Sequence, residues 1–281
     1  MKRMNVIVVI SFLVFFIINP HICLAENTNV TLPQVVCTTS PLAHMTKEIG
    51  QKLISVTTIA PAGMCPAHFD IKPSQIKAVR EAKLLISHNF EPWIENLITS
   101  ADNTNIERLV LVGPWNTPVS AIGKINEITE MLGRQFPGNE HQFRLNAQKL
   151  IQDINQNGIA IKARAEQLGV NQFKVITSFH QASFVEWLGF KVIADYPAPE
   201  MISTRQFLEL LLIGKREKAD LIVDNLQSGT DFGTRLSSDL NATQVVLTNF
   251  PGLVPQTESL TAMMNYNAEQ LFTIIEGSLN R

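Results

Sequence analysis

The sequence is short of cysteine, of aromatic side chains and of charge. Its three cysteines, at positions 23, 37 and 65, are too few for a disulfide-stapled fold. Aromatics at 7%, a net charge of −2 and the lack of any basic stripe argue against nucleic acid as a partner. Charged residues make up 17% and apolar residues 45%, the balance of a compact globular body. Beyond residue 18 no apolar run is long enough to cross a bilayer.

What is there begins with an export signal. Lys2 and Arg3 precede an apolar run from Val6 to Ile18, then the breaker Asn19-Pro20 and the small residue Ala25, so residues 1–25 are expected to be cleaved. Cys23 invites a lipid anchor, but Ile22 before it is larger than the residue usual there. The mature chain is expected outside the cytoplasmic membrane, in the periplasm. There Cys37 and Cys65 are free either to pair or to offer a thiolate to a metal.

The stretch 139–168 organises the remainder. It follows Pro137-Gly138, stops at Gly169 and carries apolar or small residues at 143, 147, 150, 154, 158, 161, 165 and 168, a period near 3.6. On either side, short β-rich runs alternate with amphipathic helical stretches. In the first half the runs fall at 35–39, 53–59, 84–87 and 109–112, and in the second at 174–178, 192–194, 221–223 and 244–247. The expected fold is α/β: two similar lobes, 26–138 and 169–281, each a small parallel sheet flanked by helices, joined by one long rigid helix. Ligands in such sheets collect beyond the carboxyl ends of the strands, which selects the loops starting at 60, 88, 113, 179, 195, 224 and 249.

Histidines favour those loops. His141 sits in the first turn of the long helix and His44 within an earlier helix, where exposed or structural roles suffice. His68, His88 and His180 each lie on a strand-end loop, where imidazoles joined by a carboxylate or thiolate complete a tetrahedral metal site. Cys65, three residues before His68, would favour zinc over manganese. A disulfide from Cys65 to Cys37 is the competing use, and the two exclude one another. His88, Glu200 or Asp224 would then supply the spare ligands.

Several motifs resemble the periplasmic solute-binding proteins of zinc and manganese ABC transporters. They are Val36-Cys-Thr-Thr-Ser-Pro-Leu-Ala43, the loop ending in His68 with Lys72-Pro-Ser-Gln75, Glu91-Pro-Trp93, Asn146-Ala147, Phe179-His-Gln-Ala-Ser-Phe184 and Met263-Met-Asn-Tyr-Asn267. The resemblance covers nearly all of residues 34–278. It implies two lobes around a rigid helix, a monomer, and Zn2+ (alternatively Mn2+) carried in the cleft and delivered to an ABC permease. It also implies one ligand from each of four loops. His180 matches the third, and His68 matches the first after a shift of one residue from Ala67. Trp115-Asn116 stands where the second histidine belongs, and Asn249 where an aspartate is usual.

Two other functions compete. The same architecture would bind an organic or chelated solute, with Phe69, Trp93 and Trp115 lining the cleft. An enzyme would use Cys65 or Cys37 as nucleophile and His180 as base, but neither cysteine lies in a nucleophile-elbow motif and no oxyanion donor can be named. No catalytic role is therefore expected.

Overall fold

The computed structural model describes residues 32–64, 66 and 69–279. The export signal, Cys65 and His68 lie outside the described residues.

The first lobe runs β1 (Gln34–Cys37), α1 (Ser40–Gly50), β2 (Ser55–Thr58), α2 (Pro73–Glu81), β3 (Leu84–Ser87), α3 (Ile94–Ala101), β4 (Glu107–Val110) and α4 (Pro118–Gln135). After α5 (Glu140–Gln167) the second runs β5 (Lys174–Ser178), α6 (Phe179–Leu188), β6 (Lys191–Tyr196), α7 (Thr204–Glu217), β7 (Leu221–Asn225), α8 (Asp231–Leu240), β8 (Thr243–Leu247) and α9 (Leu260–Leu279). The strand orders are β2-β1-β3-β4 and β6-β5-β7-β8, parallel throughout. The two sheets thus share one winding. In each, the connections diverge on either side of its first strand, and crevices form at the carboxyl ends around such switch points.

The long helix behaves as its pattern requires. Phe143, Ala147, Ile154, Gly158, Ile161 and Ala165 are buried, and Leu150 and Leu168 pack partly covered against the same core. Gly169 ends it at φ 62, its N–H bonding to Glu166 O, a left-handed stop that glycine adopts without strain. Asn146 donates from Nδ2 to Ile49 O at 2.8 Å, satisfying a carbonyl at the end of α1. One contiguous core takes in α1, α4, α5, α6 and α9 and so continues from lobe to lobe. Arg164 adds an external staple to α9 through Glu269 and Glu276, its guanidinium also lying over the Phe272 ring.

Two elements depart from expectation. The fourth strand begins at Glu107, two residues early, because its register is set by pairing with β3 (Leu84 with Glu107), and this edge strand leaves Glu107, Arg108 and Val110 largely open to solvent. The helices α3 and α8 were not anticipated. Helix α3 buries Leu97, Ile98 and Ala101, a helical spacing, whereas α8 buries Gly233, Leu236 and Ser237 and so carries little apolar signal.

Candidate metal-binding cleft

His180 occupies the second position of α6, directly after β5, and its side chain is exposed. The surrounding protein strips enough water from the imidazole to hold its pKa below the ordinary histidine value, opposed by the nearby charge of Glu200. The ring is therefore neutral near pH 7, the form that can ligate a metal. Its backbone is gripped from both lobes. Asn116 Nδ2, from the loop after β4, and Asn249 Nδ2, from the loop after β8, donate to His180 O at 3.1 and 2.8 Å. Asn116 Nδ2 also donates to Asn249 Oδ1 at 3.1 Å, and Trp115 Nε1 to Asn249 O at 2.8 Å.

The clamp is itself supported. Asn267 on α9 pins Thr248 through both backbone groups, accepting from its N–H at 3.0 Å and donating to its carbonyl at 2.8 Å. Gln227 accepts from Asn249 N at 3.0 Å and donates to Thr248 Oγ1 at 2.8 Å. Two buried side-chain oxygens without a partner flank His180 in sequence, Ser178 Oγ and Gln181 Oε1, and a third, Asn116 Oδ1, belongs to the clamp itself.

The remaining sequence candidates are placed as follows. Glu200 is exposed on a short 3-10 turn, Pro199–Met201, and its field reaches His180. His88 is buried and has both ring nitrogens occupied, with Nδ1 donating to Leu111 O at 3.2 Å and Nε2 accepting from Thr39 Oγ1 at 3.0 Å. Burial drives its pKa down to about 3, and the ring stacks against both Phe90 and Trp115. Asp224 is buried in the second lobe, its oxygens accepting from Tyr196 Oη and Gln244 Nε2, each at 2.6 Å. Desolvation raises its pKa, while those bonds and one from the Gly233 backbone oppose the rise. A Cβ at residue 233 would lie 1.8 Å from Asp224 Oδ2, so only glycine permits that approach. His88 and Asp224 are thus committed to structure, whereas Glu200 is exposed.

Cys37 corrects the disulfide alternative. It is a free, buried thiol that reaches Thr46 Oγ1 at 3.4 Å, and burial pushes its pKa up to about 12, which also removes it as a nucleophile. The aromatics expected to line the cleft are likewise buried. Trp93 packs against Phe69 and donates to Pro66 O at 2.6 Å, while Trp115 sits between His88 and Phe250. The exposed apolar side chains beyond the strand ends include instead Met64, Phe90, Val112 and Met201 on loops and Phe179 at the start of α6. Among the described residues, no group of three or more His, Cys, Asp or Glu side chains converges as a metal cage.

The amide clamp is what sequence reasoning left undefined. Trp115-Asn116 and Asn249 were legible as the second and fourth ligand positions, but nothing in their spacing told that they bond to each other and to His180.

Comparison with known proteins accords with this architecture. A curated relative from Rickettsia prowazekii (strain Madrid E), described as uncharacterized protein RP014, is 28% identical over 141 residues, 46% of this chain and 47% of that one. The chain thus spans about half the length of that relative. The Mn-bound periplasmic metal binding protein from candidatus liberibacter asiaticus superimposes with a TM-score of 0.75 at 16% identity, covering 86% of this chain and 99% of that one. Its Cd-bound form gives the same values, and a crystal structure of ZnuA gives a TM-score of 0.68 at 16% identity, covering 86% and 98%. Residues 35–273 match the family described as ZnuA, zinc-uptake complex component A periplasmic, and with that match spanning most of its length the chain belongs to this family of metal-binding proteins, which bind their solute without turning it over.

Proposed function

We propose that the chain captures a divalent transition metal, zinc in preference to manganese, in the cleft between its lobes and passes it to an ABC permease. The observation that carries this reading is His180: an exposed, neutral imidazole whose backbone is fixed from both lobes by Asn116 and Asn249. A ligand on so rigid a mount loses little freedom on binding. His68 is proposed as a second ligand, Cys65 as a thiolate that would favour zinc, and Glu200 as the carboxylate nearest in field. Export and cleavage near Glu26 belong to the same proposal.

Zinc titration by calorimetry tests it. Replacing His180 or His68 by alanine should weaken binding at least tenfold, about 1.4 kcal/mol, while His141→Ala should leave it unchanged. Parental affinity in both cleft variants would place the ligands elsewhere.

The amides at Asn116 and Asn249 favour one second reading, an organic or chelated solute recognised through hydrogen bonds and the exposed rings of Phe90 and Phe179. Zinc-edge absorption of the loaded protein separates the two, since it counts the nitrogen and sulfur ligands that the chain supplies.

A further inference from the structure

A groove of about 400 Å³ runs along the exposed face of α5, and none of its lining residues belongs to the His180 clamp. Asn155, Ile159, Lys162 and Glu166 line it at i, i+4, i+7 and i+11, one face of the helix. Pro118 and Val119 at the start of α4, and Trp187 near the end of α6, complete the lining. At Gly158 an added Cβ would stand 2.6 Å from the Pro118 ring and 3.6 Å from the Trp187 ring, so both rings come down onto bare backbone.

The groove is apolar where a surface helix is ordinarily polar. Val119 is 78% exposed and Ile159 71%, the two most exposed large apolar side chains among the described residues, and both belong to it. Apolar surface gathered in a concavity, rather than scattered over the molecule, marks a place where something binds. Its volume lies within the range of small-molecule sites, about 300–1,000 Å³.

The rim carries a charge of each sign. Lys162 and Glu166 stand one turn apart, yet neither forms an ion pair among the described residues. Lysine before glutamate is the weaker order for an i, i+4 pair, and Lys162 Nζ donates instead to Trp187 O at 2.8 Å. That bond fixes the ammonium beside the groove and leaves two of its N–H donors unused. Lys162 is only half-buried and Glu166 is exposed, so a ligand can reach both. A simple carboxylate would be repelled by Glu166, and a simple amine by Lys162. A head group with both charges on one carbon spans the single turn between them and leaves a third substituent for the apolar wall.

We propose that this groove binds an apolar α-amino acid. Its carboxylate accepts from Lys162 Nζ, its ammonium donates to the Glu166 carboxylate, and its side chain lies against Ile159, Val119 and the Trp187 ring. Apolar contact supplies the affinity and the two charges fix the orientation. A molecule seated there touches α4 of the first lobe, the connecting helix and α6 of the second.

Calorimetry on the mature, metal-free protein tests this with L-leucine and L-phenylalanine. The controls are 4-methylpentanoate and 3-phenylpropionate, which lack the ammonium, 3-methylbutylamine and phenethylamine, which lack the carboxylate, and glycine, which lacks the side chain. At least one of the two amino acids should bind at least tenfold tighter than its own two analogues and than glycine. Lys162→Met and Glu166→Gln should each weaken that binding at least tenfold while leaving zinc affinity at the parental value. His180→Ala, which removes the cleft imidazole, should keep the parental amino-acid affinity. Should Lys162→Met disturb the fold by freeing Trp187 O, the exposed Glu166→Gln decides alone. Absence of heat from both amino acids, an analogue binding as tightly as its parent, or parental affinity in Glu166→Gln would each overturn the proposal.

Discussion

Asn116 and Asn249 meet across the two lobes, Asn116 Nδ2 donating to Asn249 Oδ1 at 3.1 Å, and both amides also donate to the carbonyl of His180. The lobes are therefore fastened to one another here by hydrogen bonds of the chain's own. Because the core also runs unbroken from lobe to lobe through α5, we predict that small-angle scattering curves of the metal-free and zinc-loaded protein will superimpose. A clear compaction with zinc would show that the clamp opens.

Replacing one amide by an acid separates clamping from ligation. In Asn249→Asp the side chain can no longer donate to His180 O, so metal-free stability should drop by about 1–3 kcal/mol in urea unfolding. The carboxylate it introduces is a far better metal ligand than an amide, so zinc affinity should rise at least tenfold, about 1.4 kcal/mol. Unchanged affinity would mean that residue 249 does not face the bound solute.

The pH dependence of metal capture follows from His180. A metal competes with a proton only below the pKa of its ligand, and here desolvation holds that pKa under the usual 6.5. The part of the zinc affinity that depends on His180, read as the difference between the parent and His180→Ala, should therefore hold from pH 7.5 to 6.5 and fall only below that. Glu200 raises the His180 pKa, so Glu200→Gln should move the fall to still lower pH. A difference between parent and His180→Ala that is already lost above pH 7 would contradict the assignment of His180 as a ligand.

Acid stability should report His88. Its pKa is about 3 in the folded protein against an ordinary 6.5, so between those values the unfolded chain binds the extra proton. The stability it contributes is complete above pH 6.5 and is lost as pH falls toward 3, at up to about 1.4 kcal/mol per unit. His88→Gln should be less stable at pH 7 by about 1–3 kcal/mol, because two buried bonds are disturbed, yet lose stability less steeply between pH 6 and 4. Equal slopes for parent and variant would show that His88 is already protonated in the folded state.

Much of this was legible in the chain, for reasons that differ by residue. The helix from Glu140 to Gln167 announced itself because its buried seam runs unbroken for 28 residues and ends at a glycine that must be left-handed. The strand-end loops followed from parallel alternation alone. His88 and Asp224 misled because a histidine or aspartate on such a loop reads the same whether it faces solvent or, as here, spends its polar atoms on Thr39, Leu111, Tyr196 and Gln244. Those partners are 23 to 49 residues away for His88, and long-range pairing leaves no periodic trace.

The connecting helix offers a test in which two effects have opposite signs. Gly158 lies in the interior of α5, where helix propensity alone would have Gly158→Ala stabilise the protein by about 1 kcal/mol. A Cβ at that position would stand 2.6 Å from Cγ of the Pro118 ring at the start of α4 and 3.6 Å from the Trp187 ring of α6. The proline cannot swing aside, because it fills the first turn of a helix capped by Thr117, whose Oγ1 accepts from Ser120 N. Overpacking of this kind costs about 1–3 kcal/mol, more than the propensity gain. We predict net destabilisation in urea unfolding. The deficit should shrink in the double variant Gly158→Ala/Pro118→Ala, where the ring is removed and the propensity term is left to act. A single variant more stable than the parent would show that α4 and α5 can separate at this point, and that the strut is less tightly packed than its buried glycine implies.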